Sequence, residues 1–234
     1  MFYLDPLYLM MMVPAFILTI FAQIKVKHAF NKYSKVPVSS NLTGAEASRR
    51  LLESNGLNDV LVEETGGKLS DYYDPRTKVL RLSQPVFEGR TLASVGVAAH
   101  ETGHALQDKN KYFPMKLRSG LVPVANFGSN FAMPMFFIGI LIVGWLRSPV
   151  GYLLMNLGIL MFTVAVVFQL ITLPVEFNAS RRAMVMLREN GLITEEEYRP
   201  TKSVLSAAAL TYVAAAATAI LTLLYLILRS QSRD

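Results

Sequence analysis

The chain has 234 residues and no cysteine, with 52% hydrophobic and only 17% charged residues. Uncharged apolar runs are long enough to cross a bilayer, which excludes an ordinary soluble domain. Without cysteine there are no disulfides and no thiolate metal ligands. The net charge of +6 does not indicate nucleic-acid binding, because most Lys and Arg lie beside apolar segments, where they contact anionic lipid. The composition therefore predicts a membrane protein in a lipid bilayer.

The first apolar run, from Leu7 to Ala22, predicts a transmembrane helix within residues 1–24. Four lysines follow this run (Lys25, Lys27, Lys32 and Lys35). This order indicates an uncleaved anchor whose C-terminal end is cytoplasmic, because a signal peptide carries its positive charge before the apolar run. His28 in this flank is interpreted as an interfacial side chain and not as a ligand.

Residues 25–118 form the largest polar block and predict a small α+β domain. Thr43 and Glu46 form a capping-box pattern that opens a helix ending near Gly56. Later segments, one of which alternates between apolar and polar residues, predict the strands of a small antiparallel sheet, with the last strand at an edge. That strand consists of Lys78, Val79, Leu80, Arg81, Leu82 and Ser83. An edge strand can bind an extended peptide by backbone addition, and an ordinary buried strand is the alternative.

A helix predicted at about residues 91–109 carries His100-Glu101-Thr102-Gly103-His104. Histidines four residues apart lie about 40° apart around a helix axis, so both imidazoles can reach one metal ion. Glu101 between them can act as a general base. The alternative is a pair of core histidines held by hydrogen bonds. Small residues before the motif permit close packing of this helix against its neighbours.

Two uncharged runs joined by a short loop predict a transmembrane hairpin, with helices at 119–147 and 149–175. The polar block 176–203 predicts cytoplasmic helices, and an alanine-rich run at 204–228 predicts the fourth span. The positive-inside rule places 25–118 and 176–203 together in the cytoplasm. The expected fold is a mainly α membrane protein with four transmembrane helices and a small α+β cytoplasmic, zincin-like domain.

Within 176–203, Thr194 and Glu197 form a second capping-box pattern. Zinc in hydrolases usually takes three protein ligands and leaves one position for water. Because cysteine is absent, a carboxylate is the expected third ligand. Glu176 is the strongest candidate, since a lone carboxylate directly at the end of an apolar helix is costly without a partner. The alternative is that Glu176 pairs with Arg181 or Arg182.

Blocks along nearly the whole chain carry a resemblance to a known family. They are Leu42-Thr43-Gly44-Ala45-Glu46, Tyr73-Asp74-Pro75-Arg76 with Leu80-Arg81-Leu82-Ser83, Ala98-Ala99-His100-Glu101 with Gly103-His104-Ala105, Leu121-Val122-Pro123-Val124-Ala125-Asn126, Leu173-Pro174-Val175-Glu176-Phe177-Asn178-Ala179-Ser180, and Leu205-Ser206-Ala207-Ala208-Ala209-Leu210-Thr211-Tyr212. The sequence resembles the YugP-type neutral zinc metallopeptidases, a family of bacterial membrane proteins. It departs from the family at Tyr72, where a histidine is common.

The segment from Glu176 to Ser180 also resembles the Glu-x-x-Ala-Asp motif of gluzincin membrane proteases such as the CAAX-processing type. This resemblance implies that Glu176 is the third zinc ligand. Ser180 replaces the motif's Asp, and we expect Asn178 or Ser180 to take over part of its role in orienting a ligand.

The sequence therefore predicts a zinc-dependent membrane endopeptidase with one Zn²⁺ per chain, held by His100, His104 and Glu176. Glu101 is expected to accept the proton of the attacking water. Asp108, one turn after His104, is a candidate for orienting a ligand, and a solvated helix residue is the alternative. Candidate donors to the oxyanion are Tyr73, Tyr212, Arg181 and Arg182.

The expected partners are peptide or protein substrates, including membrane proteins, and no nucleic acid. The expected location is the cell membrane, with several spans and the active site on the cytoplasmic face. A non-hydrolytic zinc-binding membrane scaffold or chaperone is the alternative. A metal transporter is disfavoured, because the predicted spans hold almost no ionisable residues at mid-depth.

Overall fold

The computed structural model of the chain describes residues 5–67 and 70–231. Its elements, in chain order, are α1 (Pro6–Tyr33), α2 (Gly44–Ser54), β1 (Leu61–Thr65), β2 (Tyr72–Asp74), β3 (Val79–Ser83), α3 (Gln84–Phe87), α4 (Leu92–Lys109), α5 (Phe113–Leu146), α6 (Pro149–Glu189) and α7 (Glu195–Gln231). The described residues are mainly helical and contain one small sheet.

Four of the described helices, α1, α5, α6 and α7, are long and apolar enough to cross a membrane by length and composition. This number agrees with the sequence prediction and indicates a multi-pass membrane protein. The helices extend beyond the predicted spans, since α6 continues to Glu189 and α7 runs unbroken across position 203. The first four residues of the predicted 1–24 span lie outside the described residues.

The chain divides into two compact units. One unit contains the described residues of Met1–Phe21, Leu117–Leu173 and Tyr212–Asp234. In this unit, α5 and α6 pack closely as an antiparallel pair. A Cβ built on Gly158 of α6 would lie only 2.8 Å from the carbonyl oxygen of Ala132 of α5. This contact agrees with the predicted hairpin.

The other unit contains Ala22–Lys116 and Pro174–Thr211. Helix α4 is largely buried in this unit, and the small residues that precede the histidine motif are all buried: Ala93, Ser94, Gly96, Ala98 and Ala99. One apolar core joins α4 to α2 and to the polar ends of α6 and α7, and it includes Leu51, Val95, Leu187 and Leu205. A second core joins α4 to the sheet and includes Leu80, Leu82, Ala105 and Val175. Helix α4 is thus fixed by packing on two sides.

The sheet has the strand order β1-β3-β2. β1 pairs with β3 in parallel, and β2 pairs with β3 antiparallel. The prediction of an antiparallel sheet is therefore wrong for β1 and β3. The physical reason is that β2 lies between β1 and β3 in the chain and reverses its direction, so that β3 runs parallel to β1. The turn from β2 into β3 is held by the Asp74 carboxylate, which accepts from the Arg76 amide at 3.0 Å.

Since β3 is hydrogen-bonded on both sides, the prediction that the strand at 78–83 lies at an edge is wrong, and the strand offers no free edge to which a peptide could add. The alternative, an ordinary buried strand, agrees with the structure. Of its residues, Val79, Leu80, Leu82 and Ser83 are buried.

Both predicted capping boxes are present. The Thr43 amide donates to Glu46 Oε2 at 2.7 Å, and the Glu46 amide donates to Thr43 Oγ1 at 3.0 Å. At the start of α7, the Thr194 amide donates to Glu197 Oε2 at 2.9 Å and the Glu197 amide donates to Thr194 Oγ1 at 3.3 Å. Each box satisfies amides that a helix start leaves without an intrahelical partner.

Candidate metal centre

Helix α4 and the polar end of α6 bring together the three predicted metal ligands. Glu176 Oε2 lies 3.2 Å from His100 Nε2 and 3.7 Å from His104 Nε2. One nitrogen or oxygen atom from each of these residues lies within 4.8 Å of the other two. His100 and His104, one helical turn apart, therefore face the carboxylate of Glu176, which lies 72 positions after His104 in the chain.

The close approach of α4 and α6 depends on the glycine inside the motif. A Cβ built on Gly103 would lie 2.6 Å from the carbonyl oxygen of Ala179, a distance that real Cβ atoms do not adopt. Glycine at this position lets the α6 backbone lie directly against α4. His104 and Glu176, close in sequence to these two residues, are brought together by the same contact.

The second ring nitrogen of each histidine is held by a neighbouring side chain. His100 Nδ1 lies 3.1 Å from Ser180 Oγ, and His104 Nδ1 lies 3.0 Å from Gln107 Oε1. Both Nε2 atoms thus face Glu176, while both Nδ1 atoms are engaged elsewhere. Metal-binding histidines commonly show this division, in which one nitrogen binds the ion and the other hydrogen-bonds to a polar group.

Burial and neighbouring charges shift the pKa values of the side chains in this cluster. Burial raises the pKa of Glu101, against the opposing charges of His100 and His104. Burial alone would lower the pKa of His104, but the hydrogen bond to Glu176 and the charge of Glu101 outweigh burial and raise it. Two imidazoles with converging Nε2 atoms and the Glu176 carboxylate form a donor set that fits zinc, which binds histidine nitrogen and carboxylate oxygen.

Glu101 lies on α4 between the two histidines and is only 8% exposed. Within residues 5–67 and 70–231, no hydrogen bond or ion pair engages its side chain. Its carboxyl is therefore not committed to another part of the described chain.

Of the other predicted site residues, Ser180 contacts His100, while Asn178 contacts neither histidine. The Tyr73 hydroxyl donates to Asp108 Oδ2 at 3.0 Å. Burial and this hydrogen bond raise the pKa of Tyr73. Gln107, and not Asp108, is the residue that contacts His104.

The remaining candidates are placed as follows. Arg181 is exposed on α6, whereas Arg182 is half-buried and its Nε donates to Asn178 Oδ1 at 2.7 Å. Tyr212 lies in α7 within the other unit, and its role as an oxyanion donor stays a prediction. His28 is exposed on α1, and its position at the membrane interface stays a prediction.

Sequence reasoning missed Gln107 and the structural role of Gly103. A usable signal existed for Gln107, because it follows His104 by three residues and therefore lies on the same face of the helix. The contact of Gly103 had no local signal, since its partner Ala179 belongs to a distant segment.

Comparison with known proteins shows the family to which the chain belongs. A family described as "Putative neutral zinc metallopeptidase" matches residues 8–231. The chain is 49% identical over 218 residues to "Putative membrane protease YugP" of Bacillus subtilis (strain 168), a match that covers 93% of this chain and 94% of that protein. No solved structure matches the chain. With its His-Glu-x-x-His helix and four apolar helices, the chain belongs to the neutral zinc metallopeptidase family that its sequence blocks resemble.

Proposed function

We propose that this protein is a zinc-dependent endopeptidase of the cell membrane. The observation that carries the proposal is the convergence of His100 Nε2, His104 Nε2 and a Glu176 carboxylate oxygen within 4.8 Å of one another. The uncommitted carboxyl of Glu101 lies on the same helix between the two histidines. The family's description and the relative's name support hydrolysis of peptide bonds.

His100, His104 and Glu176 would hold one zinc ion per chain. When bound, zinc supplies Lewis acidity to the peptide carbonyl and lowers the pKa of a water molecule to about 7. Ser180 and Gln107 hold the imidazoles by their Nδ1 atoms and so direct both Nε2 atoms to one point.

Glu101 acts as the general base. Its carboxylate accepts a proton from the water that attacks the scissile carbonyl carbon, and it then donates this proton to the leaving nitrogen as the C–N bond breaks. The burial of Glu101 keeps bulk water from competing for the carboxylate. The substrates are peptides or proteins, including segments of membrane proteins.

The test is cleavage of casein by the detergent-solubilised protein, measured together with its zinc content. Glu101→Gln is expected to retain zinc and to lose about 10²- to 10⁴-fold in cleavage rate, the usual contribution of a positioned base. Glu64→Gln, at an exposed position on β1, is the matched control and should cleave as the unaltered protein does. Phenanthroline should abolish cleavage, and added zinc should restore it.

Cleavage that persists in phenanthroline, or in Glu101→Gln, would reject the proposal. An unaltered protein that binds zinc but cleaves neither casein nor itself would favour the alternative of a membrane scaffold.

We also propose that the metal centre lies on the cytoplasmic face. The support is the group of lysines directly after the first apolar run, Lys25, Lys27, Lys32 and Lys35. Because the chain has no cysteine, single-cysteine variants can test the topology with a maleimide that does not cross membranes. In intact cells, Arg147→Cys should be labelled and Glu64→Cys should be protected until the cells are permeabilised, and the reverse pattern would overturn the assignment.

A further inference from the structure

We propose that Gln107 is a positioning residue that holds His104 in the tautomer with its hydrogen on Nδ1, so that Nε2 presents its lone pair to the metal. The inference rests on the proposed zinc site and deepens it. Gln107 is completely buried, and it lies three residues after His104 on the same face of α4.

The orientation of the Gln107 amide follows from its neighbours. Arg182 Nε can only donate, so the Asn178 atom that lies 2.7 Å from it is the oxygen, Oδ1. This oxygen also lies 3.0 Å from one terminal atom of the Gln107 side-chain amide. The Val175 carbonyl oxygen lies 2.8 Å from the same terminal atom. Two acceptors on one side of the amide require its NH₂ group there, because an oxygen in that place would face two other oxygens.

The tautomer of His104 follows from this orientation. With its NH₂ group turned to Val175 and Asn178, Gln107 presents Oε1 to His104 Nδ1 at 3.0 Å. An amide oxygen can only accept, so Nδ1 must carry a hydrogen. In a neutral imidazole the lone pair is then on Nε2, the nitrogen that faces Glu176. Metal binding requires this arrangement.

The same hydrogen bonds connect the two halves of the metal centre. Gln107 belongs to α4, which carries the histidines, and its two acceptors, Val175 and Asn178, stand on either side of Glu176 in α6. Every polar atom of the Gln107 side chain is thereby used within a fully buried position, which makes any other orientation of the amide costly.

The test compares two variants that separate positioning from packing. Gln107→Met has a similar volume but removes both the acceptor for His104 and the donors to α6. Gln107→Glu keeps an oxygen for His104 Nδ1 but places its second oxygen against the Val175 carbonyl. Thr201→Val is the matched control, since Thr201 is a completely buried polar residue of the same unit that donates to the Glu197 carbonyl.

Two quantities are measured for each protein: zinc affinity, by competition with a chelator, and thermal unfolding of the zinc-free form. Both Gln107 variants should unfold at a lower temperature, because both lose the donors to α6. Only Gln107→Met should lose zinc affinity, by about 10- to 100-fold as for other groups that orient metal ligands. Thr201→Val should leave zinc affinity unchanged.

A ¹⁵N spectrum of histidine-labelled, zinc-loaded protein gives an independent signature, and the chain has only three histidines to assign. His104 should show a protonated Nδ1 in the unaltered protein. Equal zinc affinity in Gln107→Met and the unaltered protein, equal losses in both Gln107 variants, or an unprotonated Nδ1 would each overturn the inference. Failure of the unaltered protein to bind zinc would instead reject the proposed zinc site itself.

Discussion

Gly103 lies so close to Ala179 that a Cβ on the glycine would stand 2.6 Å from the alanine's carbonyl oxygen. This contact joins two backbones, so neither partner can yield as a flexible side chain would. It lies beside His104 on one helix and between Glu176 and Ser180 on the other. The distance between the helices at this point therefore sets the distance between the predicted metal ligands.

Gly103→Ala should weaken zinc binding and lower stability. Alanine gains up to about 1 kcal/mol over glycine from helix propensity alone, so a net loss must come from steric overlap, which typically costs about 1–3 kcal/mol. Gly120→Ala in α5 is the control, because a Cβ there meets no atom within 4 Å. Zinc affinity and thermal unfolding in detergent are the measurements. Unchanged zinc affinity in Gly103→Ala would show that the helices can separate without disturbing the ligands.

Glu176→Gln should reduce zinc affinity by more than ~100-fold, because it removes an anionic ligand. A reduction of up to ~100-fold is typical when only a group that hydrogen-bonds to a ligand is lost. Glu189→Gln changes an exposed carboxylate on the same helix and should have no effect. The measurement is bound zinc per chain after dialysis against a weak chelator. A Glu176→Gln protein that keeps a full complement of zinc would exclude this residue as a ligand.

Ser180→Ala should lower zinc affinity about 10- to 100-fold, because it removes the group that holds His100 Nδ1. Ser180→Asp should retain affinity, since a carboxylate can accept a hydrogen bond from the same nitrogen. Ser203→Ala, at an exposed position of α7, serves as the control. If the alanine and aspartate variants lose zinc equally, the hydroxyl acts through local packing and not through the histidine.

Thr43→Ala should destabilise the protein by about 1 kcal/mol, the usual cost of losing a helix cap. Its partner Glu46 adds a pH dependence. The hydrogen bond from the Thr43 amide lowers the pKa of Glu46, so its stabilising effect is present at neutral pH and is lost as the pH falls through this lowered pKa. Thermal unfolding between neutral and acidic pH should therefore change less in Glu46→Gln than in the unaltered protein. Glu53→Gln, exposed on the same helix, should not reduce the acid dependence.

Features that depend on neighbours in the sequence could be predicted without a structure. The four apolar helices follow from the length of uncharged runs. The pairing of His100 and His104 on one face follows from helical periodicity, and both capping boxes follow from a four-residue pattern. In each case the interacting groups are at most four residues apart, or the property is a sum over one segment, so no long-range contact has to be known.

Sequence reasoning also indicated Glu176, by its position at the end of an apolar helix and by resemblance, but nothing local connects it to His104 across 71 intervening residues. The tertiary structure supplies that connection through the contact of Gly103 with Ala179. For the sheet, in contrast, the sequence prediction was wrong. The alternation around Leu80 suggested an edge strand, yet β1 and β2 cover β3 on both sides, because strand order depends on the path of the chain between strands.

The sequence by itself therefore determined the membrane class, the helix with the His-Glu-x-x-His motif and the chemical types of the predicted metal ligands, all of which follow from composition and local spacing. Only the tertiary structure decided which carboxylate faces the histidines and which buried amide contacts His104. Both depend on the close packing of α4 against α6, where Gly103 and Gln107 meet backbone and side-chain atoms of a segment about 70 residues away. Such contacts are selected by the shapes of two surfaces together, and neither segment encodes them alone.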